Sequence, residues 1–135
     1  MTVLIEVSQL PPDETSPNSR AFWAKKYKAG KVYHDAVYYS CVNARNKGEK
    51  GGKRFPMLRA RLDLTFVFAV SRRRDRDNWL SRFKPGLDAI KDASLILDDD
   101  SEHLEIGEIL FWVNPEVAPL TIIRLAGYRH FRKSG

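Results

Sequence analysis

MLRARLDLTFVFAV, residues 57–70, runs directly into SRRRDRDN, residues 71–78. In the first stretch Leu58, Ala60, Leu62, Leu64, Phe66, Phe68 and Val70 alternate with Arg59, Arg61, Asp63 and Thr65. A strand sends successive side chains to opposite faces, so this period of two predicts a β-strand over 57–70 with one apolar face. Val67 and Ala69 make its second half apolar on both sides, as in a central strand. After the polar run, Leu80, Phe83, Leu87 and Ile90 are spaced 3, 4 and 3 apart, the stripe of a helix. Pro85 falls within that stripe and either kinks the helix or opens a second one at its first turn.

Towards the N-terminus, Val3 to Val7 reads as a strand and LPPDETSPN (10–18) as a turn-rich loop. A short helix is predicted from about Asn18 to Lys28, broken by Gly30. A second begins at Lys31, with Tyr33, Ala36, Val37, Cys41 and Ala44 on its buried face. Cys41 reads there as a small buried hydrophobe. NKGEKGGKR (46–54) reads as a flexible basic loop. Towards the C-terminus, LILDDDSE (95–102) is an apolar run closing in an acidic turn. Strands are predicted over Glu105–Val113 and Pro119–Arg129, with Asn114-Pro115 as the turn. The order is β-α-α-β-α-β-β, an α/β chain of the α+β type with a mixed sheet, predicted as a single domain over residues 1–135.

The length of 135 residues fits one domain, and 43% apolar residues suffice for a core, which excludes wholesale disorder. No uncharged or apolar run approaches the roughly 20 residues of a membrane helix. The opening MTVLIEVSQL lacks a basic segment and carries Glu6, so no secretory signal is expected. One cysteine and no CxxC pair suit a reducing cytoplasm and exclude a disulfide-stapled or zinc-ribbon fold. The net charge of +6 is unevenly distributed. Between Arg20 and Arg82 there are 17 basic and 5 acidic residues; the remainder holds 6 basic and 12 acidic. Such a surplus suits a phosphate-binding surface, although a solvated basic face has the same composition.

The acids fall in an informative place. Asp75 and Asp77 stand two apart where the strand ends, and Asp98-Asp99-Asp100 follow the next helix. If that helix returns along the sheet, the two groups can approach. Converging carboxylates repel unless a divalent cation neutralises them, and oxygen-only ligands select magnesium or manganese. Arg72, Arg73, Arg74 and Arg76 bracket the first pair, as a site holding a polyanion beside its own acids would require. Spacing alone is equally compatible with Asp75 and Asp77 as surface ion-pair partners of these arginines and Asp98–Asp100 as a polar turn.

The run Arg74-Asp75-Arg76-Asp77-Asn78, then Lys84, then Leu87-Asp88-Ala89-Ile90, then Leu97-Asp98-Asp99, resembles the RusA family of Holliday-junction resolvases. Leu10-Pro11-Pro12 and Asn18 resemble that family's N-terminal Pro-rich turn. The family lysine follows its asparagine more closely. Here Lys84 keeps its four-residue spacing to Asp88, which reads as a short insertion before it. Ile90 replaces the usual Leu, and Ser94 stands where Gly is common. The resemblance implies a homodimer of small mixed α/β subunits that cuts opposing strands of four-way DNA junctions with Mg2+ or Mn2+. It places the metal-site aspartates at Asp75, Asp77 and Asp99 and the essential lysine at Lys84, with Asp98 as the lesser member of the acidic pair. Arg72, Arg73, Arg74, Arg76, Lys47, Lys50, Lys53 and Arg54 are the expected DNA-backbone contacts, and no membrane partner is expected.

A non-catalytic basic DNA-binding protein is the alternative from another class. Acids clustered where positive charge is densest tell against it. A restriction-type site is not expected, because no Asp or Glu has Lys two residues later. His34, His103 and His130 lie too far apart for a metal-ligand motif. Trp23, Trp79 and Trp112 read as core or dimer-interface residues more readily than as base-stacking platforms, with Trp79, next to Asn78, the one placed for the second role.

Overall fold

The alternation over residues 57–70 becomes a nine-residue strand, Ala60–Phe68, in the computed structural model, which describes residues 1–48 and 55–128. The elements are β1 (Thr2–Val7), a single 3-10 turn (Asp13–Thr15), α1 (Trp23–Gly48), β2 (Ala60–Phe68), α2 (Arg76–Arg82), α3 (Lys84–Asp92), β3 (Leu104–Val113) and β4 (Leu120–Gly127). They form one α+β domain around a four-stranded mixed sheet of order β1-β4-β2-β3. As its two-sided apolar half predicts, β2 is internal: antiparallel to β4 and parallel to β3. Parallel neighbours need a crossover, which α2 and α3 supply. Among the described residues, no helix is long and apolar enough to cross a membrane.

Ala60, Leu62, Leu64 and Phe66 of β2 are fully buried, together with Ile123 and Leu125 of β4. Tyr33, Val37 and Cys41 of α1 and Phe83, Ala89 and Ile90 of the crossover cover them from one side of the sheet. Cys41 is therefore a buried hydrophobe, and burial pushes its thiol up to about 12. Trp79 is also core, whereas Trp23 and Trp112 are exposed, contrary to a core role for them.

Two helical assignments differ from the sequence reading. The early helices are one: α1 runs 26 residues without a break at Gly30. Gly30 is buried, and a Cβ there would lie 3.4 Å from the Pro85 ring on α3, so the glycine marks close helix approach instead of a helix end. Helix also continues through residues 46–48, so Lys47 stands in its last turn instead of a loop. The remainder of that predicted loop, with Lys50, Lys53 and Arg54, lies outside the described residues, as do Arg129 and His130. The stripe from Leu80 to Ile90, by contrast, meets one of the two outcomes Pro85 allowed: it is two helices, and Pro85 opens α3 in its first turn.

β3 carries a bulge. Leu62 pairs with Ile106 but Leu64 pairs with Ile109, so Gly107 and Glu108 both face Asp63. The Asp63 carboxylate accepts from the Glu108 N–H at 2.7 Å, which satisfies a donor the bulge removes from the ladder. It also accepts from Arg61 Nε at 3.1 Å and Arg124 Nη1 at 3.2 Å. Although partial burial works against its charge, these bonds hold the Asp63 carboxyl below its usual value.

Two substitutions test this packing in opposite directions. Gly86→Ala would ordinarily favour a helix. Here the added methyl would lie 2.7 Å from the Phe83 ring and 3.0 Å from Tyr33. A loss of about 1–3 kcal/mol is expected by urea unfolding. Ser94, just past the end of α3, has φ 60°, the left-handed conformation in which glycine is favoured. Ser94→Gly should therefore raise stability by up to ~1 kcal/mol; a lower urea midpoint would contradict this.

Candidate active site

The residues quoted for the resemblance are placed by four different segments. Asp75 is the N-cap of α2: its Oδ1 accepts from the Asp77 N–H at 3.3 Å. Asp and Asn suit this position because their short side chains reach the free N–H groups of the first turn. Arg76 then donates through Nη2 to the Gly107 carbonyl at 3.1 Å, tying the start of α2 to the β3 bulge. The bulge thus anchors the turn that carries Asp75 and Asp77. Asp77 itself is highly exposed and pairs with Arg76 Nη1 at 3.6 Å.

The Pro-rich segment docks on the same helix. Asn78 Nδ2 donates to Ser16 Oγ at 3.2 Å. Arg82 Nη2 donates to the Pro11 carbonyl at 2.9 Å, and Thr15 Oγ1 lies 3.0 Å from the Arg82 carbonyl. The asparagine is therefore fixed by residues more than sixty positions away.

Lys84, at the first turn of α3, gathers two acids. Its Nζ donates to Asp88 Oδ1 at 2.7 Å and to Asp99 Oδ2 at 3.3 Å. The Asp88 contact is a same-face pair one turn apart, whereas Asp99 comes from the turn ahead of β3. The hydrogen bond it donates to Asp88, and then the one to Asp99, hold the Lys84 ammonium above its usual value, against some desolvation. Asp98 pairs instead with Lys91 at 3.3 Å, and Asp100 with His103 at 2.8 Å.

Lys84, Asp88 and Asp99 thus come together, as do Asp75, Arg76 and Asp77. No hydrogen bond or ion pair joins the two groups among the described residues. Nor do any three Asp, Glu, His or Cys side chains there gather closely enough to enclose a metal as they stand. The candidate ligands are nonetheless accessible carboxylates, oxygen donors whose chemistry suits a hard divalent cation.

Of the four bracketing arginines, Arg72, Arg73 and Arg76 are exposed. Arg74 folds back on its own loop. It donates to the Val70 carbonyl at 3.0 Å, and its guanidinium lies 3.4 Å from the centre of the Phe68 ring. Burial and the charge of Arg72 lower its pKa.

A groove of about 380 Å³ adjoins Lys84, between α1 and α3. Tyr27, Lys26, Lys31 and His34 line one side, and Lys84 and Asp88 the other. Sequence reasoning assigned to the site only Lys47, in the last turn of α1, and none of the residues in its first turns. The available signal was the run of lysines and aromatics over residues 22–31, which contains no acid.

No family model matches the chain. An uncharacterized protein of Xylella fastidiosa (strain Temecula1 / ATCC 700964) is 42% identical to it over 91 residues. The match covers 66% of this chain and 56% of that protein, so it spans little more than half of that relative's length.

His34 in the groove wall supplies a pH test. Its Nδ1 lies 3.0 Å from Asp35 and its Nε2 2.7 Å from Asp92. Partial burial disfavours its charge, but the hydrogen bonds to both carboxylates outweigh this and raise its pKa above 6.5. A raised imidazole pKa contributes stability that is complete below the unfolded value and is lost as pH rises through the folded value. His34→Gln should therefore lower the urea midpoint more at pH 5.5 than at pH 9, by less than about 1 kcal/mol given the solvent exposure of the pair.

Proposed function

We propose that this protein is a metal-dependent endodeoxyribonuclease of branched DNA, acting on four-way junctions as a homodimer. The observation that carries the reading is the Lys84 cluster. The lysine and acids quoted in the motif at Lys84, Asp88 and Asp99 meet through hydrogen bonds although Asp99 lies 15 positions from Lys84. Ion pairing for its own sake would not require the other motif members to be built in as well. Asp75 caps α2, and Asn78 is held by the docked Pro-rich segment.

In this reading Asp75, Asp77 and Asp99 would hold Mg2+ or Mn2+. When bound, such an ion supplies an acidified water and polarises the phosphate. The chain's own residues prepare the remainder. Lys84 presents an ammonium whose raised pKa keeps it charged, able to stabilise negative charge on a phosphate. Its two acid partners hold it in place until substrate arrives. Arg72 and Arg73 offer exposed guanidinium groups to backbone phosphates, so binding should weaken steeply with salt. A two-fold dimer would set two such sites against the pseudo-symmetric arms of a junction.

The test separates folding from chemistry at one position. Asp75→Asn keeps an oxygen that can cap α2 and should unfold at the wild-type urea concentration, whereas Asp75→Ala should lose about 1 kcal/mol. Both Asp75→Asn and Asp77→Asn should reduce magnesium-dependent paired nicking of a labelled four-way junction by at least ~100-fold, or ~3 kcal/mol of barrier. Wild-type protein that binds junction tightly but cuts neither junction nor linear duplex, with magnesium or manganese, would replace this reading with a DNA-binding one.

A further inference from the structure

We infer that the α1–α3 groove is a track for an unpaired DNA strand leading to Lys84, with Tyr27 and Trp23 as its base-stacking platform. The inference rests on the nuclease reading only for what happens at Lys84; the strand-binding surface stands on its own observations.

Trp23 and Tyr27 are 71% and 69% exposed, unusual for large aromatics on one helix. They are one turn apart, and Lys31 follows at the same spacing, so the three share a stripe on α1. Phe22 lies just ahead of the helix with its ring centre 5.9 Å from that of Trp23. The buried side of α1, with Tyr33, Val37 and Cys41, already packs on the core, so the aromatic stripe is not needed there.

The charge around this stripe identifies an occupant. Arg20, Lys25, Lys26, Lys28 and Lys31 lie in a span without any acid, which ends only at Asp35. Lys26 and Lys31 line the same groove as Tyr27, whose far wall carries Lys84. Among the described residues the one acid lining the groove, Asp88, is already paired with Lys84. Aromatic rings interleaved with cations match single-stranded nucleic acid, whose unstacked bases offer π-faces while its backbone offers phosphates. A duplex hides those base faces, so the aromatics favour an unpaired strand, such as one opened at a branch point.

The test uses the intact chain without divalent metal, so that no cutting is scored. Binding of a labelled 15-nucleotide oligothymidine is measured by fluorescence anisotropy, beside a duplex of the same length. Oligothymidine is expected to bind more tightly and to quench tryptophan emission. Tyr27→Ala and Trp23→Ala should each weaken its binding about fivefold or more, with duplex binding little changed. Tyr27→Phe, which keeps a ring, should bind as wild type. Lys31→Glu should weaken binding and flatten its salt dependence. Oligothymidine affinity unaffected by both alanine substitutions would overturn the inference, as would tighter binding of duplex. Unchanged affinity with a shift in oligomeric state by light scattering would assign the stripe to a second copy of the chain and equally overturn it. An inactive nuclease that passes these binding tests would leave the strand track intact and remove only the chemistry proposed at its end.

Discussion

The arrangement depends on a three-residue junction in which Tyr33 of α1 meets Phe83 and Gly86 at the start of α3. The rings of Tyr33 and Phe83 pack edge to face with centres 6.1 Å apart. The absence of a side chain at Gly86 lets both rings close over it. Tyr33 also reaches the sheet: its hydroxyl lies 2.9 Å from Thr121 Oγ1, which in turn donates to the Gln9 carbonyl at 2.7 Å. Since the threonine proton is committed to that carbonyl, the tyrosine is the donor in the first bond. One buried side chain therefore relates α1, the crossover and β4. Lys84 stands one residue after Phe83 and two before Gly86, so its place beside α1 follows from core packing.

The cationic surface is smaller than the composition suggests. Arg45 donates to the Ala93 carbonyl at 3.0 Å, and Arg59 to that of Glu102 at 2.9 Å. Arg74 and Arg82 lie over the rings of Phe68 and Trp79. These guanidinium groups brace loops and cover aromatic faces, as their flat, weakly hydrated shape allows. Positive charge near the candidate site is carried chiefly by ammonium groups on α1 and by the exposed Arg72, Arg73 and Arg76.

Much of the fold was legible because its signals are local. The alternation in β2 reports burial on one side. Pro85 at the start of α3 and Asn114-Pro115 between β3 and β4 are punctuation a chain cannot hide. What was not legible depends on distant partners. Gly30 looks like a helix breaker until Pro85, 55 positions away, is seen packed on it. Gly107 looks like a weak point in a strand, whereas it makes room for the Asp63 and Arg61 side chains beside the bulge. At the candidate site, the spacing of Lys84 and Asp88 is a helical turn and could be read directly. The approach of Asp99 needs the whole crossover, and the role of α1 needs knowledge of which of its faces the core leaves open.

The pairing of β1 with β4 has a mechanical consequence. Thr2 lies opposite Ala126 and Val7 opposite Thr121, in antiparallel register. Residues 2 and 126 are therefore neighbours at one end of the ladder. Tension drawing them apart would load its cross-links in succession, like a zip, and would not share the load among them as shear does. β1, which among the described residues is bonded on one side only at the sheet edge, would peel away first. The parallel β2–β3 pair lies beyond β4 in the sheet and would feel the pull only after that ladder had opened.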